Sequence, residues 1–412
     1  MGNGLTKRKV TFGDVFAGCG GLSLGFLQAG LEGRFAIESD RFAFATLQAN
    51  LLSANSTFKF KWPLWLPKKP ITIGSFLRKY QSQLQSLNGK IDVLGGGPPC
   101  QGFSYAGRRK YDDPRNQLFR GYLRLVKILS PRVLVIENVR GFTADFETKS
   151  SVVNYADKLR HALSAEYDVF ERLLDLSQFG VPQSRTRYFL VALEPNICSE
   201  DPFDILQGQL PSYLRSLRLT VPVASKAAIS DLEIERGGKQ ISSENTRFHE
   251  IIPVTPLTRY QKLMNDDSEI ITDLRLARHS EEITDRFRQI IELSHAEGRL
   301  NTTISAEVRA RFGLRKMALR VLDPDRPAPT ITSLPDDLIH YNEARTLTVR
   351  ETARLQTFPD WFSFQGKYTT GGHLRRIEVP RFTQVANAVP PLVARAIGEM
   401  IVDLLNGSNR SY

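Results

Sequence analysis

The first part of the chain alternates short apolar runs with longer amphipathic stretches. Residues 10–16 predict a first strand, followed by a glycine-rich segment and an amphipathic helix that ends near Gly30. Further strands are predicted at 34–37, 91–94, 132–136 and 188–193, and helices at 41–52 and 114–129. Strands that alternate with helices are typical of an α/β fold with a doubly wound, mostly parallel sheet, which binds ligands at the carboxyl ends of its strands.

The alternation stops after residue 194 and resumes only with the apolar patterns at 348–358 and 391–405. A chain of 412 residues is long enough for one large domain and a smaller one. We therefore expect a ligand-binding domain over 1–194, a smaller domain over 195–380, and a carboxyl-terminal segment, 381–412, that returns to the first domain.

Charge and cysteine content narrow the class of protein. The net charge of +11 favours a polyanionic partner, most simply nucleic acid, and the excess lies outside residues 196–316, which carry 17 basic and 18 acidic side chains. The three cysteines lie far apart without CxxC spacing, which predicts a reducing, cytoplasmic setting and no metal site. No run of apolar residues is long enough for a membrane span.

The segment "FAGCGG" (16–21) follows the first predicted strand. Its glycines allow a ligand to approach the backbone, and Glu38, at the end of the second strand, lies where such folds bind ribose hydroxyls. A dinucleotide site would need glycine where this chain has Ser23, so a cofactor without a pyrophosphate is preferred, of which S-adenosylmethionine is the common one. The alternative is that the glycines only pack a helix against a strand.

The segment "GGGPPCQGFS" (95–104) places Cys100 after two prolines, at the end of a strand. A nucleophilic thiol needs a fixed position and an electropositive neighbourhood, and Pro98 and Pro99 restrict the backbone before it. A cysteine is more often a small buried hydrophobe. The surrounding prolines and glycines favour the nucleophile.

Two further segments carry polar side chains at strand ends. Residues 133–136 deliver Glu137 and Asn138 to the edge of the sheet, where a buried carboxyl with a raised pKa would act as an acid. Gln183, Arg185 and Arg187 alternate along an extended stretch and so share one face. A helix cap at Glu137 and solvated charges at the arginines are the alternatives.

The order and spacing of these segments resemble one family, the C5-cytosine DNA methyltransferases. The resemblance is carried by six segments that together bracket nearly the whole chain: "FAGCGG" (16–21), "GGPPCQGFS" (96–104), "ENVRGF" (137–142), "VPQSRTR" (181–187), "LTVRETARLQTFPD" (347–360) and "QVANAVPP" (384–391). It implies a Rossmann-like fold that binds S-adenosylmethionine.

The resemblance also implies a mechanism. Cys100 would add to carbon 6 of cytosine, Glu137 would protonate or bind ring nitrogen 3, and Arg185 would hold the exocyclic oxygen. The target base would be flipped out of double-stranded DNA.

The remaining site residues follow from the same resemblance. Phe16, Gly18, Gly20, Glu38 and Asn387 would bind the cofactor; Ala386 stands where many members have glycine, and "KKPITIGSF" (68–76) lacks the acidic residue that often contacts adenine. The residues expected at the DNA are Gln101, Ser104, Arg108, Arg109, Asn138, Gln183 and Arg187. The stretch 101–116 would form a mobile loop over the DNA, and 196–316 would recognise the target sequence.

Two other classes of protein are alternatives to a C5-cytosine DNA methyltransferase. An amino-group DNA methyltransferase has an aromatic residue after its paired prolines, where this chain has Cys100. A non-catalytic DNA-binding module would not need Cys100, Glu137 and Arg185 together. The length of the chain and its long variable segment favour DNA over RNA as the substrate of a related enzyme. We therefore expect a monomeric, bacterial, nucleoid-associated enzyme of the restriction-modification type, with a cognate endonuclease that forms no stable complex with it.

Overall fold

The structure is a computed structural model, and it describes residues 8–98, 116–147, 152–266, 268–371, 374 and 377–407. Cys100 and the stretch 101–115, with Gln101, Ser104, Arg108 and Arg109, lie outside the described residues. The predictions made for them stay predictions.

Helices and strands alternate over the first half of the described chain. The strands are β1 Thr11–Val15, β2 Glu32–Ile37, β3 Val93–Gly96, β4 Val133–Val139, β5 Phe146–Glu147, β6 Val152–Val153, β7 Asp168–Asp175, β8 Gln183–Ser184, β9 Thr186–Leu193, β10 Lys239–Ile241, β11 His249–Ile251, β12 Arg320–Val321, β13 Ala328–Pro329 and β14 Leu338–Ile339. The helices are α1 Gly21–Gln28, α2 Arg41–Leu51, α3 Ile73–Lys79, α4 Gln81–Ser86, α5 Asn116–Leu129, α6 Tyr155–Leu163, α7 Pro202–Leu217, α8 Ser225–Ile229, α9 Ile234–Gly237, α10 Arg259–Asn265, α11 Glu281–Ala296, α12 Ala306–Arg311, α13 Val349–Leu355, α14 Arg381–Asn387 and α15 Pro391–Asn406.

The chain divides into two compact units. The first unit comprises Met1–Asp175, Thr186–Tyr213 and Pro391–Tyr412, and the second comprises Leu176–Arg185 and Leu214–Pro390. The carboxyl-terminal helix α15 thus belongs to the first unit. The functional division into 1–194, 195–380 and 381–412 remains a prediction.

A six-stranded sheet, in the order β2-β1-β3-β4-β9-β7, forms the centre of the first unit. Strands β2, β1, β3 and β4 are parallel, and β9 runs antiparallel to both of its neighbours. The predicted mostly parallel α/β sheet is confirmed. Strand β7 was not predicted from the sequence, because all of its residues are partly or fully exposed and give no apolar run.

Close packing of α1 on α15 holds the carboxyl-terminal helix against this sheet. A Cβ added at Gly25 would stand 2.4 Å from the Cβ of Ala394, and one added at Gly398 would stand 2.7 Å from that of Ala29. Such distances leave no room for a side chain at either glycine. The glycines therefore let the two helix backbones approach each other.

Buried ion pairs organise the second unit around α13. Arg354 makes bidentate contacts of 2.7–2.9 Å with Asp231 and Asp360, and Arg345 donates twice to Glu351 at 2.8 Å. Thr348 and Glu351 form a capping box at the start of α13. The segment 347–360 therefore owes many of its charged residues to internal structure, because loss of one partner would leave a buried charge uncompensated.

Candidate active site

The loop after β1 has the backbone conformation that a close ligand requires. Phe16, Gly18 and Gly20 have φ values of 62°, 57° and 96°, in the left-handed region that favours glycine. No described atom lies within 4 Å of the position that a Cβ of Gly18 would take, whereas a Cβ at Gly20 would contact Leu51 at 2.9 Å. Gly18 thus borders open space, and Gly20 packs against α2.

Glu38, at the end of β2, holds this loop by its carboxylate. One oxygen accepts a hydrogen bond from the backbone N–H of Gly18 at 2.9 Å, and the other accepts from those of Ser39 and Asp40 at 2.7 and 2.6 Å. Burial raises the pKa of Glu38 above its ordinary value, and the backbone hydrogen bonds oppose that rise. The structure therefore brings Gly18 and Glu38 together and shows that much of the carboxylate's acceptor capacity is used within the protein.

A second carboxyl group lies beneath the loop and was not singled out from the sequence. Asp14 is buried in β1 and accepts a hydrogen bond from the Ser23 hydroxyl at 2.5 Å. Burial raises the pKa of Asp14 to about 7. Burial also raises the pKa of the Cys19 thiol to about 12, so this thiol stays protonated at neutral pH and is a poor nucleophile.

Glu137, near the end of β4, forms an ion pair with Arg187 of β9. The Arg187 Nε lies 3.2 Å from Glu137 Oε1, and each side chain is 13% exposed. The antiparallel pairing explains this contact, because it sets Val139 of β4 opposite Arg187 and Glu137 two residues away. A Cβ at Gly97 would stand only 3.6 Å from Glu137 Oε2, so this carboxylate lies beside the segment that leads to Cys100.

Asn138 holds the segment before Cys100 through a hydrogen bond to the backbone of Pro98. Its side-chain amide donates to the carbonyl of Pro98 at 3.1 Å, and its side-chain oxygen accepts from the N–H of Val139 at 2.9 Å. The side chain is 3% exposed. In this position Asn138 ties the end of β3 to β4 and holds the backbone two residues before Cys100.

Gln183 and Arg185 are buried in the second unit, where they hold other segments of the chain. The Gln183 amide donates to Gln356 Oε1 at 2.6 Å, and its oxygen accepts from the N–H of Ile331 at 3.0 Å. Arg185 donates to the carbonyl of Ala386 at 2.8 Å and is 2% exposed. Arg185 therefore supports the segment before Asn387, which is itself exposed at the end of α14. Gln183 holds the residues around Ile331 and Gln356.

The structure thus places the predicted site residues in three groups. The first unit holds Phe16, Gly18, Gly20 and Glu38 at β1 and β2, and Glu137, Asn138 and Arg187 at β4 and β9. The second unit holds Gln183, Arg185 and Asn387. The pairing of Arg187 with Glu137 was not expected, since no signal in the sequence announces that β9 reverses direction beside β4.

Two absences concern the described residues alone. They contain no group of three or more His, Cys, Asp or Glu side chains arranged to hold a metal ion. None of the helices in this part of the chain combines the length and the apolar character that crossing a membrane requires.

The sheet order and the glycine loop define the class of protein as a Rossmann-like α/β protein that binds its ligands at the carboxyl ends of the strands. The chain belongs to the C-5 cytosine-specific DNA methylase family, whose sequence model matches residues 10–403. It is therefore a cytosine methyltransferase, and its reaction requires a methyl donor.

Individual relatives match over nearly the whole chain. Type II methyltransferase M.DdeI of Desulfomicrobium norvegicum is 32% identical over 97% of this chain and 91% of its own length. Type II methyltransferase M1.HphI of Haemophilus parahaemolyticus is 29% identical over 96% and 87% of the two chains. A solved structure of an E. coli prophage protein, described as a DNA modification methyltransferase, has a TM-score of 0.63 and 25% identity over 97% of this chain and all of that one.

Proposed function

We propose that this protein transfers a methyl group from S-adenosylmethionine to carbon 5 of a flipped cytosine in a specific sequence of double-stranded DNA. The observation that carries the proposal is the Glu137–Arg187 pair, at 3.2 Å, beside the segment that leads to Cys100. An acid and a fixed cation at one strand edge are the groups that would activate a pyrimidine ring for attack.

The reaction begins with the thiolate of Cys100, which attacks carbon 6 of the cytosine. Glu137 gives a proton or a hydrogen bond to ring nitrogen 3, so that the ring electrons become available at carbon 5. Carbon 5 then takes the methyl group as its bond to the sulfonium sulfur breaks, which leaves S-adenosylhomocysteine. Loss of the carbon 5 proton to a base and β-elimination of the Cys100 thiolate restore the aromatic ring. The described residues contribute position: Asn138 fixes the carbonyl of Pro98, two residues before the nucleophile.

The arginine that serves this chemistry is Arg187 in our proposal. The sequence resemblance assigned that role to Arg185 and a DNA contact to Arg187. Arg187 lies against Glu137 and is partly exposed, whereas Arg185 donates to the Ala386 carbonyl from a buried position. A guanidinium next to the acid can bind the exocyclic oxygen of the same base and stabilise charge that develops on it.

The loop after β1 fits a nucleoside cofactor. Open space adjoins Gly18 on the side where a Cβ would stand, so a ligand can lie directly against the backbone there. Phe16 and Gly20 on either side of it also have positive φ values. Phe16, Gly18, Gly20 and Glu38 would hold S-adenosylmethionine, which supplies an electrophilic methyl group on its sulfonium sulfur. Glu38 would have two roles. It accepts the hydrogen bond from the Gly18 N–H, and it keeps acceptor capacity for the ribose hydroxyls of the cofactor.

Replacing Glu38 by glutamine is expected to raise the Kd for S-adenosylmethionine about 10- to 100-fold, since it weakens charge-assisted hydrogen bonds worth ~1.5–3 kcal/mol. Titration calorimetry measures this directly. Asp40→Asn is the matched control, because asparagine can still cap α2 as Asp40 does. Equal affinities of Glu38→Gln and the wild type would remove Glu38 from the cofactor site.

The biological setting we propose is a restriction-modification system. M.DdeI and M1.HphI are named as type II methyltransferases, and each aligns with nearly the whole of this chain. Methylation would then protect host DNA from a cognate endonuclease that acts on the same sequence without a stable complex. We propose a monomer that works on DNA in the bacterial cytoplasm.

Bisulfite sequencing of DNA from cells that express the protein tests the proposal. We expect 5-methylcytosine at one position of one short sequence motif, and none in cells that express the Cys100→Ser variant. Methylation of adenine, or of the cytosine amino group, would contradict the proposed reaction.

A further inference from the structure

Arg275 of the second unit lies between two aromatic rings. Its guanidinium carbon is 4.1 Å from the ring centroid of Phe248 and 3.4 Å from that of Tyr368. Cation–π contacts with two rings restrict the orientation of the guanidinium and leave its N–H groups free to donate. The segment 196–316, where we expect target recognition, includes Arg275 and Phe248.

The backbone of Arg275 is held as firmly as its side chain. The N–H of Leu276 donates to the carbonyl of His249 at 2.8 Å, and the N–H of Ile251 donates to that of Leu274 at 3.2 Å. The segment thus continues the β10–β11 hairpin as an additional extended stretch. Leu274 and Leu276, the two neighbours of Arg275 in the chain, are buried with Leu232 and Ile251 in one apolar cluster. This cluster anchors the extended stretch on both sides of Arg275.

Arg381 contacts the ring of the same tyrosine, Tyr368, but its hydrogen bonds give it a structural role. Its guanidinium carbon is 4.2 Å from the Tyr368 ring, and it donates to Asp273 at 2.8 Å, to Glu244 at 3.0 Å and to the carbonyl of Gly366 at 3.1 Å. The two carboxylates near the tyrosine are therefore taken by Arg381.

Arg275 differs from Arg381 in having no such partner. Among the residues that the structure describes, no carboxylate and no carbonyl accepts a hydrogen bond from its guanidinium. Burial lowers the pKa of Arg275 from its ordinary value, Tyr368 and Glu244 oppose this shift, and the nearby charge of Arg381 adds to it. A partly buried guanidinium with unused donors gains most from a ligand with two acceptors in its own plane.

Two acceptors of DNA match such a donor edge: a phosphate group, or the O6 and N7 atoms of guanine in the major groove. A phosphate also matches the arginine fork, but phosphate contacts carry no sequence information, whereas Arg275 lies in the segment 196–316 that we expect to recognise the target sequence. Guanine requires two parallel hydrogen bonds in the plane of the base, which is what a stacked arginine offers.

We propose that Arg275 is a sequence-specificity residue that donates two hydrogen bonds to O6 and N7 of one guanine in the target sequence. The inference rests on the proposed function, because it takes double-stranded DNA as the substrate. Phe248 and Tyr368 are its positioning residues, since they hold the guanidinium plane.

The test is the methylation profile of Arg275→Gln on a random duplex library, read by bisulfite sequencing. The wild type should require guanine at one position of its motif. Arg275→Gln should still methylate cytosine but lose about 5- to 150-fold of its discrimination at that position, the range expected for one bidentate arginine–guanine contact. Arg275→Lys should not restore it, because lysine lacks the planar pair of donors.

Further variants separate stacking from charge. Phe248→Leu keeps Arg275 but removes one face of the clamp, so it should relax the same position to a smaller extent. Arg278→Ala removes a charge three residues away on an exposed side chain and should leave the profile unchanged. Replacing the required guanine by 7-deazaguanine, which lacks the N7 acceptor, should weaken binding of the wild type and leave that of Arg275→Gln unaffected.

Three results would overturn the inference, and they differ in what they leave standing. An unchanged motif in Arg275→Gln would exclude a base contact and leave the proposed function intact. A uniform loss of affinity for all sequences, with a smaller salt dependence that Arg275→Lys restores, would show a phosphate contact instead. No 5-methylcytosine from the wild type would contradict the proposed function itself, and the inference with it.

Discussion

Replacing Glu137 by glutamine is expected to lower kcat for DNA methylation by about 100- to 10,000-fold, the usual contribution of a general acid. Glutamine keeps the shape of the side chain but cannot supply a proton to ring nitrogen 3 of cytosine. The Kd for S-adenosylmethionine should change less than about twofold. Glu137 lies on β4, which pairs with β9, whereas the glycine loop and Glu38 follow β1 and β2. Single-turnover methylation and calorimetry measure the two quantities.

The chain offers a matched control for this variant. Glu194 pairs with Arg132 at 3.4 Å, at the opposite end of the same β4–β9 strand pair, and both side chains are exposed. Glu194→Gln therefore removes the same charge beside the same sheet but away from the strand end that carries Glu137. It should leave kcat unchanged. Equal rates for Glu137→Gln and the wild type would refute the acid role.

The two arginines of "SRTR" should respond differently to the same substitution. Arg187→Gln is expected to lower kcat by about 100- to 1,000-fold, because its guanidinium lies against Glu137. Arg185→Gln is expected to lower the free energy of unfolding by about 1–3 kcal/mol or more, since it leaves the buried carbonyl of Ala386 without this donor.

Thermal denaturation and single-turnover kinetics on both variants distinguish these roles. Glu194→Gln, which alters an exposed side chain, provides a reference that should change neither the melting temperature nor the rate. If Arg185→Gln kept its melting temperature and lost its activity, while Arg187→Gln stayed active, the role of the catalytic cation would return to Arg185.

The sequence predicted the sheet of the first unit well where strands are buried. Strands β1, β3 and β4 are apolar runs whose side chains are almost all inaccessible, so their pattern had few alternatives. All residues of strand β7 are partly or fully exposed, and no local pattern distinguishes it from a polar loop. The antiparallel course of β9 depends on its pairing with β4, which is a tertiary property that alternation cannot reveal.

For the site residues, the sequence indicated positions in the chain but not the contacts that each side chain makes. The resemblance placed Glu38 beside the glycine loop, and the Gly18–Glu38 hydrogen bond agrees with that placement. It could not show that Asn138 is used to hold Pro98, or that Arg187 contacts Glu137, because both follow from how neighbouring strands meet. The charged residues of 347–360 matched the family equally well, and several of them are buried in ion pairs.

Covalent trapping on a modified duplex is the sharpest test of the proposed Cys100 adduct. A duplex that carries 5-fluorocytosine at the methylated position blocks loss of the substituent at carbon 5, so the enzyme cannot leave the base after methyl transfer. We predict a denaturant-stable complex of one protein chain with the DNA, dependent on S-adenosylmethionine, absent in Cys100→Ser and mapped by mass spectrometry to Cys100. No adduct in the presence of the cofactor, or an adduct through Cys19 or Cys198, would contradict the account.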